Sequence, residues 1–314
     1  MSVYTPVTRE QLELYLQQYA VGTLSDYRGI EAGVENSNFF VSTSQGEYVL
    51  TLVESVAAEQ LPFILGLIEH LARNQVACAE PIHLADGSLF GQLNDRPAVL
   101  MTRLQGSPLQ EPSEQQASII GHTLARMHTL AQALPVEQFT HIHQWCSELG
   151  STLLPHLSDE EQNLLQHNLL EAGQINWATL PTGPVHADLF PDNALFAGDQ
   201  LCGLIDFYHA CSAPYLYDLC ITLNAWCFNE RTAEYDFNKA LLILESYQRI
   251  RPLEEEEQKS FGTMLQVAAL RFWLSRLRDV HFPKAGEVVT RKDPQGKRQL
   301  LELLRETQSL KLAG

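Results

Sequence analysis

Residues 185–196 read VHADLFPDNALF. Apolar side chains stand at both ends, and between them lie His186, Asp188, Asp192 and Asn193. Thirteen positions after Asn193, the stretch GLIDFYHA puts Asp206 at the end of a Leu-Ile run, followed by Phe207. Carboxylate and carboxamide oxygens are the donors a hard cation such as Mg²⁺ takes. A further carboxylate can orient a hydroxyl and accept its proton. Two anions this close repel each other unless a cation stands near them. The set therefore suits metal-assisted transfer of a phosphoryl group to an alcohol, with the apolar flanks acting as strands that hold the loop.

The spacing narrows this reading. His186, Asp188 and Asn193 form H-x-D-x-x-x-x-N, the spacing of a kinase catalytic loop, with Ala187 where kinases carry arginine. Asp206 and Phe207 stand where kinases write D-F-G. A plain turn would also use Asp, Pro and Asn. That accounts for Asp192, beside Pro191, but not for the LIDF strand at the matching distance. His186 is expected to fix the loop by hydrogen bonding backbone, without acid–base chemistry.

The elements that must position these groups change character along the chain. Residues 8–20 predict a short helix capped by Thr8, with Glu10 and Glu13 in its early turns. The alternating stretch YRGIEAGVENSNFFVSTSQGEYVLTLVE, broken by Gly29, Gly33 and Gly46, predicts two or three antiparallel strands. A helix over LPFILGLIEHLARNQV and a buried strand over residues 97–104 follow. After QGSPLQEP the pattern is helical: 113–131, with Ile119, Leu124, Met127 and Leu130 near one face, then 158–172, 215–228, 235–249, 254–278 and 297–311. The strand-like exception is 183–207, around the motif. The run of four glutamates at 254–257 reads as a helix first turn.

A chain of 314 residues, 45% of them hydrophobic, can bury a sizeable core as one large domain or two lobes. Its net charge of -17 argues against nucleic acid or an anionic membrane surface as the main partner. The absence of a long apolar run or a signal-peptide pattern points to a cytoplasmic protein. The six cysteines lack CxxC spacing and sit among apolar neighbours, so buried free thiols are expected. His141 and His143 have no partner at metal-ligand spacing and read as a surface or core pair.

HADLFPDN together with IDF resembles the aminoglycoside phosphotransferase and choline kinase superfamily. Within it, GVENSNFFV, YVLTLVE, LPFILGLIEHL, GLIDFYHAC, YLYDLCITLNAWCF, AALRFWLSRL and KDP resemble the homoserine kinase-like subgroup, from about Tyr27 to Pro294. The resemblance implies an α+β, two-lobed, protein-kinase-like fold. A small antiparallel-sheet lobe (residues 1–103) would bind nucleotide, and a mainly helical lobe (104–314) would carry catalysis and acceptor. It implies ATP and Mg²⁺ as cofactors and the hydroxyl of L-homoserine as acceptor. Asp188 would be the base and Asn193 and Asp206 the metal ligands. Gly33, Asn36, Ser37 and Asn38 would cover the phosphates, Met101 and Arg103 would meet adenine through backbone groups, and Asp218 would brace the catalytic loop.

One departure stands out. Most kinases place a lysine on the third strand to pair with the phosphates. YVLTLVE offers Thr51 there, and the first lysine of the chain is Lys239. The phosphate charge would then fall to Mg²⁺, loop amides or an arginine such as Arg28. The basic stretch 271–298 is either a solvated face or an anion contact, with Arg271 as the candidate for a substrate carboxylate. Tyr208, Asn224 and Trp226 complete the candidate acceptor site, helix packing being the other account of Asn224 and Trp226. His128 reads as structural. Two alternatives stay open: the same fold acting on another small alcohol, or a catalytically silent binding protein.

Overall fold

The computed structural model describes residues 5–30, 36–283 and 292–307. Helix α1 (Arg9–Leu16) opens with a capping box in which Thr8 Oγ1 accepts the Gln11 amide. Strands β1 (Leu24–Gly29), β2 (Ser37–Thr43) and β3 (Gly46–Leu52) form an antiparallel meander. With β4 (Gly91–Leu93) and β5 (Arg96–Thr102) they make one sheet of order β1-β2-β3-β5-β4. Helix α2 (Leu61–Arg73) joins β3 to β4.

Strand alternation gives the sheet two different faces. Phe39, Val41, Leu50, Leu52, Ala98 and Leu100 pack against Leu12, Tyr15 and Leu16 of α1. Tyr15 Oη locks that packing by donating to the Ala98 carbonyl at 2.6 Å. The opposite face carries Asn38, Phe40, Val49, Thr51, Val99 and Met101, cross-strand neighbours in the register. Val99 and Met101 belong to a second core that runs through α2 into the helical part. Leu204 also exchanges backbone hydrogen bonds with Ala77 and Ala79, so the sheet part and the helical part share packing.

The helical part begins with a short strand β6 (Ser107–Pro108) and α3 (Glu114–Ala131), then α4 (Ile142–Leu153) and α5 (Asp159–Ala172). Four short strands follow: β7 (Thr182–Val185), β8 (Ala194–Ala197), β9 (Gln200–Leu204) and β10 (Cys211–Pro214). Helices α6 (Tyr215–Cys227), α7 (Phe237–Gln248), α8 (Glu255–His281) and α9 (Gln295–Glu306) complete it. The fold is α+β, an antiparallel sheet followed by a helical part.

Several expectations change. Helix α4 covers the His141–His143 stretch, with His141 at its N-cap. The buried face of α3 uses Ile120, Leu124, Met127 and Ala131, so Ile119 and Leu130 sit at its edge. Glu257 does more than face a helix dipole: it is fully buried and receives both guanidinium nitrogens of Arg251, at 3.0 and 3.1 Å. The cysteines are free thiols, with Cys202 and Cys211 only partly buried. Among the described residues no helix is long and apolar enough to cross a membrane.

Candidate active site

The motif spacing is a consequence of strand pairing. β7 delivers the chain into residues 186–193, and β8 and β9 then form an antiparallel hairpin with Ala194 opposite Leu204. The Ile205 amide donates to the Asn193 carbonyl at 3.0 Å, so the pairing continues one step beyond the strands. Asp206 is the next residue. The thirteen-residue gap from Asn193 is thus one hairpin folded back on itself. A turn over Phe207–His209 packs against α2, and β10 returns to pair with β7, Cys211 opposite Val185.

Two loop positions adopt left-handed backbone without being glycine: Ala187 at φ 61° and Asp206 at φ 63°. Such a residue costs on the order of 1–2 kcal/mol. At Ala187 the compensation is visible. Asp218, in the first turn of α6 and fully buried, accepts the His186 amide at 2.9 Å and the Ala187 amide at 2.8 Å. His128 supplies a third bond, Nε2 to Asp218 Oδ2 at 3.0 Å. Burial alone would raise the Asp218 carboxyl, but the His128 hydrogen bond and the remaining partners outweigh it and hold it below the usual range. Burial lowers His128, so its neutral ring donates from Nε2 and accepts the Tyr247 hydroxyl at Nδ1, 2.7 Å away. Arg251 donates to that same hydroxyl at 3.1 Å. A buried relay therefore runs from Arg251 and Glu257 through Tyr247 and His128 to Asp218.

His186 spans the site from within. Its Nε2 lies 3.0 Å from the Ile205 carbonyl and its ring packs, tilted by 43°, against Phe207, while burial keeps it neutral. Asn193 Nδ2 donates to the Asp188 carbonyl at 2.8 Å and to Asp188 Oδ2 at 3.2 Å. That leaves Asn193 Oδ1, an oxygen a hard cation could take, on the same hairpin end as the exposed Asp206 carboxylate. Burial raises the Asp188 carboxyl, opposed by the charges of His209, Arg271, His186 and Lys292. A raised carboxyl is the stronger proton acceptor when ionised.

On the nucleotide side the structure sorts the expected residues. Gly33 lies outside the described residues. Asn36 Oδ1 accepts the Glu54 and Ser55 amides, and Ser37 Oγ donates to Glu54 at 2.6 Å. Both tie the sheet together, because alternation turns Ser37 to the same side as Phe39, toward α1. Asn38 and Thr51 face the opposite way and are bonded to each other at 2.6 Å. Arg28 is on that face too, its guanidinium 5.1 Å from the Phe40 ring centre. The backbone of Met101 is already occupied: the Arg103 amide donates to the Glu47 carbonyl, which fixes Met101 and Val49 as a hydrogen-bonded pair in the same register. Neither the Met101 backbone nor the Arg103 amide is therefore open to adenine. The Thr102 amide is also taken, donating to the Glu80 carbonyl, while the Glu80 amide goes to Thr102 Oγ1, so the groups left in this segment are the Thr102 and Arg103 carbonyls and the Leu104 backbone.

On the acceptor side Arg271 lies close enough to Asp188 for its charge to act on that carboxyl. Its guanidinium stacks 4.3 Å from the Phe272 ring centre and makes no ion pair with any described residue. Phe272 abuts Phe190 of the catalytic loop at 4.9 Å, and Lys292 Nζ lies 5.7 Å over Phe190. Phe190 and Phe272 were not singled out in the sequence, and Lys292 only as part of the basic stretch 271–298; their neighbourhood to the motif and to Arg271 was the available signal. Arg276 and Lys297 both pair with Glu230, and Arg298 with Glu160 and Glu302, which makes them structural. Asn224 and Trp226 are buried, donating to the Leu265 and Leu189 carbonyls at 2.8 and 3.0 Å. Asn224 is helix packing, and Trp226 clamps the catalytic loop. The Tyr208 hydroxyl is buried and makes no hydrogen bond with any described residue.

A strand-held H-x-D-x-x-x-x-N loop with a second Asp one hairpin away, below an antiparallel sheet, defines the kinase-like phosphotransferases. Residues 26–253 match the model of the phosphotransferase enzyme family (APH), and the chain belongs to that family. It is 41% identical over 307 residues to a homoserine kinase of Paraburkholderia xenovorans, covering 94% of this chain and 93% of that one. A homoserine kinase of Janthinobacterium sp. is 38% identical, with 96% of each chain covered. Among solved structures, the amicoumacin kinase hAmiN, in complex with AMP-PNP, Ca²⁺ and Ami, superposes with a TM-score of 0.71 at 14% identity, covering 96% of this chain and 93% of that one. A microcompartment-associated aminopropanol kinase does so with a TM-score of 0.68 at 17% identity, covering 96% of this chain and 97% of that one. The protein is a small-molecule kinase.

Proposed function

We propose that this enzyme transfers the γ-phosphoryl group of ATP to the side-chain hydroxyl of L-homoserine, yielding O-phospho-L-homoserine, an intermediate on the way to threonine. The observation that carries the acceptor is the half-buried Arg271 guanidinium, stacked on Phe272 with no carboxylate partner among the described residues, whose charge reaches Asp188. An amino-acid substrate brings the missing carboxylate. A cationic aminoglycoside or choline would instead meet the like charges of Arg271 and Lys292. Relatives near 40% identity that carry the homoserine kinase name support the same reading.

Asp188 orients the acceptor hydroxyl and takes its proton as the oxygen bonds to the γ-phosphorus and the bond to the β-phosphate oxygen breaks, releasing ADP. Asn193 Oδ1 and the Asp206 carboxylate would hold Mg²⁺, which needs few protein ligands because phosphates and water supply the rest. The donor set fits, since Asn193 has spent its Nδ2 on Asp188 and presents oxygen. When bound, the ion neutralises phosphate charge. The sheet face of Asn38 and Thr51 would cover the nucleotide, with adenine against Thr102–Leu104. Division at residues 103 and 104 into nucleotide and acceptor lobes follows from this assignment.

The test is ADP release with Mg-ATP against L-homoserine, L-serine, choline, kanamycin and methylthioribose, with Asp188→Asn run beside the parent. Homoserine-dependent release that falls about 10²- to 10⁴-fold in the variant supports both acceptor and base. Turnover with a different acceptor overturns the substrate, and Mg-ATP binding without turnover of any acceptor favours a binding protein.

A further inference from the structure

Helices α3 and α7 meet at Gly121, where a Cβ would run into the Ile243 carbonyl. One turn earlier on α3, Ser118 Oγ lies 2.7 Å from Ser246 Oγ of α7. Two turns beyond Gly121 on the same face stands His128, and one turn beyond Ile243 stands Tyr247. The close approach of the helices sets the reach between these two side chains, 119 positions apart in sequence. Both are fully buried, and the His128 ring packs against Tyr215 and Tyr247, with centroids 4.8 and 5.6 Å from its own. The hydrogen bonds from here to the catalytic loop have one consistent direction. A guanidinium only donates, so the Tyr247 oxygen accepts Arg251 Nη1 and its single proton goes to His128 Nδ1. A neutral imidazole that accepts at Nδ1 donates from Nε2, and Asp218 Oδ2 accepts that proton. Glu257 anchors the far end by taking both nitrogens of the Arg251 fork.

We propose that Tyr247 and Arg251 are positioning residues for phosphoryl transfer: acting through His128 and Asp218, they fix the backbone from which Asp188 projects, at a distance set by the Gly121 contact of α3 with α7. This rests on Asp188 as the base and not on the identity of the acceptor. A carboxylate held by amides alone can rotate and exchange its oxygens. The His128 proton, itself aimed by Tyr247, selects the rotation in which Oδ2 meets the His186 amide and Oδ1 meets the Ala187 amide. Ala187 needs that second bond to hold its left-handed backbone. Apolar side chains would fill the same space at less risk, since a buried polar chain is stable only when every member is matched. What the polar chain adds is direction, and the direction ends at the residue before Asp188.

The experiment combines steady-state kinetics with NMR of the imidazole nitrogens. Tyr247→Phe keeps the ring and removes the hydroxyl. Its kcat should fall about 10- to 100-fold, with the KM of ATP and of the acceptor unchanged, at a temperature where the variant is folded. Tyr247→Phe combined with Asp218→Asn should lose no more kcat than Asp218→Asn alone, since both act through one chain of bonds. His128→Gln keeps a donor and an acceptor and should retain more kcat than His128→Leu. In the parent, the His128 ring, assigned by its loss in His128→Gln, should carry its proton on Nε2. A lowered melting temperature with kcat unchanged in Tyr247→Phe overturns the proposal, as do additive losses in the double variant, equal kcat in the two His128 variants, or a proton on Nδ1 in the parent. Asp188→Asn is run beside them: full turnover in that variant would sink the base assignment, while the ring tautomer, read without substrate, would still report the direction of the bonds.

Discussion

Asp218 Oδ1 accepts the amide of Ala187 at 2.8 Å while Ala187 sits at φ 61°, so a buried carboxylate holds the left-handed residue just before Asp188. The bond crosses 31 positions of sequence and connects the first turn of α6 to the catalytic loop. Asp218 holds the backbone from which Asp188, the proposed base, projects.

Asp218→Asn keeps the shape and removes the charge that three donors share. One amide oxygen cannot serve the His186 and Ala187 amides and His128 together, and a buried donor left unmatched costs about 1–3 kcal/mol. Thermal or denaturant unfolding should show a loss of about 2–4 kcal/mol. Activity should fall mainly in kcat, because the loop and not the binding sites is disturbed. Unaltered stability and kcat would show that the amides do not depend on the carboxylate.

Ala187 gives a second handle on the same strain. Glycine adopts φ near 60° without a Cβ penalty, so Ala187→Gly should keep kcat within a few-fold and leave the melting temperature level or slightly higher. Ala187→Val puts a β-branched residue into that conformation and should destabilise by about 1–3 kcal/mol, with a clear fall in kcat. Equal behaviour of the two variants would remove backbone strain as the reason.

Arg271→Met preserves the stacking volume on Phe272 and deletes the guanidinium. A lost charge-assisted contact to the acceptor carboxylate predicts a rise of about 10- to 100-fold in the homoserine KM with the ATP KM unchanged. A variant with normal homoserine KM would place the carboxylate elsewhere, and Lys292 would be the next residue to change.

Stability should depend on pH through His128 and His186. Burial lowers both imidazoles and keeps them neutral in the folded protein. The unfolded chain takes up these protons below about pH 6.5 and the folded chain does not, so stability falls as pH drops from there, by up to about 1.4 kcal/mol per pH unit for each histidine. Asp218, held low, adds an acid limb: its contribution is present above about pH 4 and lost as pH falls further. His83, raised first by its hydrogen bond to Glu69 at 2.7 Å, titrates in the opposite sense, but it is solvent-exposed and offsets little. A melting temperature that stays level from pH 7.5 to 5.5 would contradict this account.

The parts that could be read directly share one property: their partners are near in sequence or follow a period. Thr8 and Gln11 cap a helix from three residues apart. Asn193 and Asp206 come to the same end of one hairpin because its two short strands separate them. Strand alternation made β2 and β3 recognisable, though not which face each residue took; Ser37 and Asn38 differ by one position and point to opposite sides. The α4 helix carries no start signal in the sequence, because His141 at its N-cap offers no side-chain cap.

By itself, the sequence determined the class of fold, the motif, its spacing and the residue types able to hold a cation and take a proton. Those are local quantities, set by strand and turn propensities over a few tens of residues. Tertiary structure decided what each isolated side chain serves. It gave Asn224 and Trp226 to packing and the loop carbonyl, paired Arg276 and Lys297 with Glu230, and left Arg271 near the Asp188 carboxylate with no ion-pair partner among the described residues. These outcomes depend on contacts between positions far apart in the chain. A hydrogen-bonding group goes to whatever unmatched partner the folded core brings within reach, and no spacing in the sequence encodes that choice.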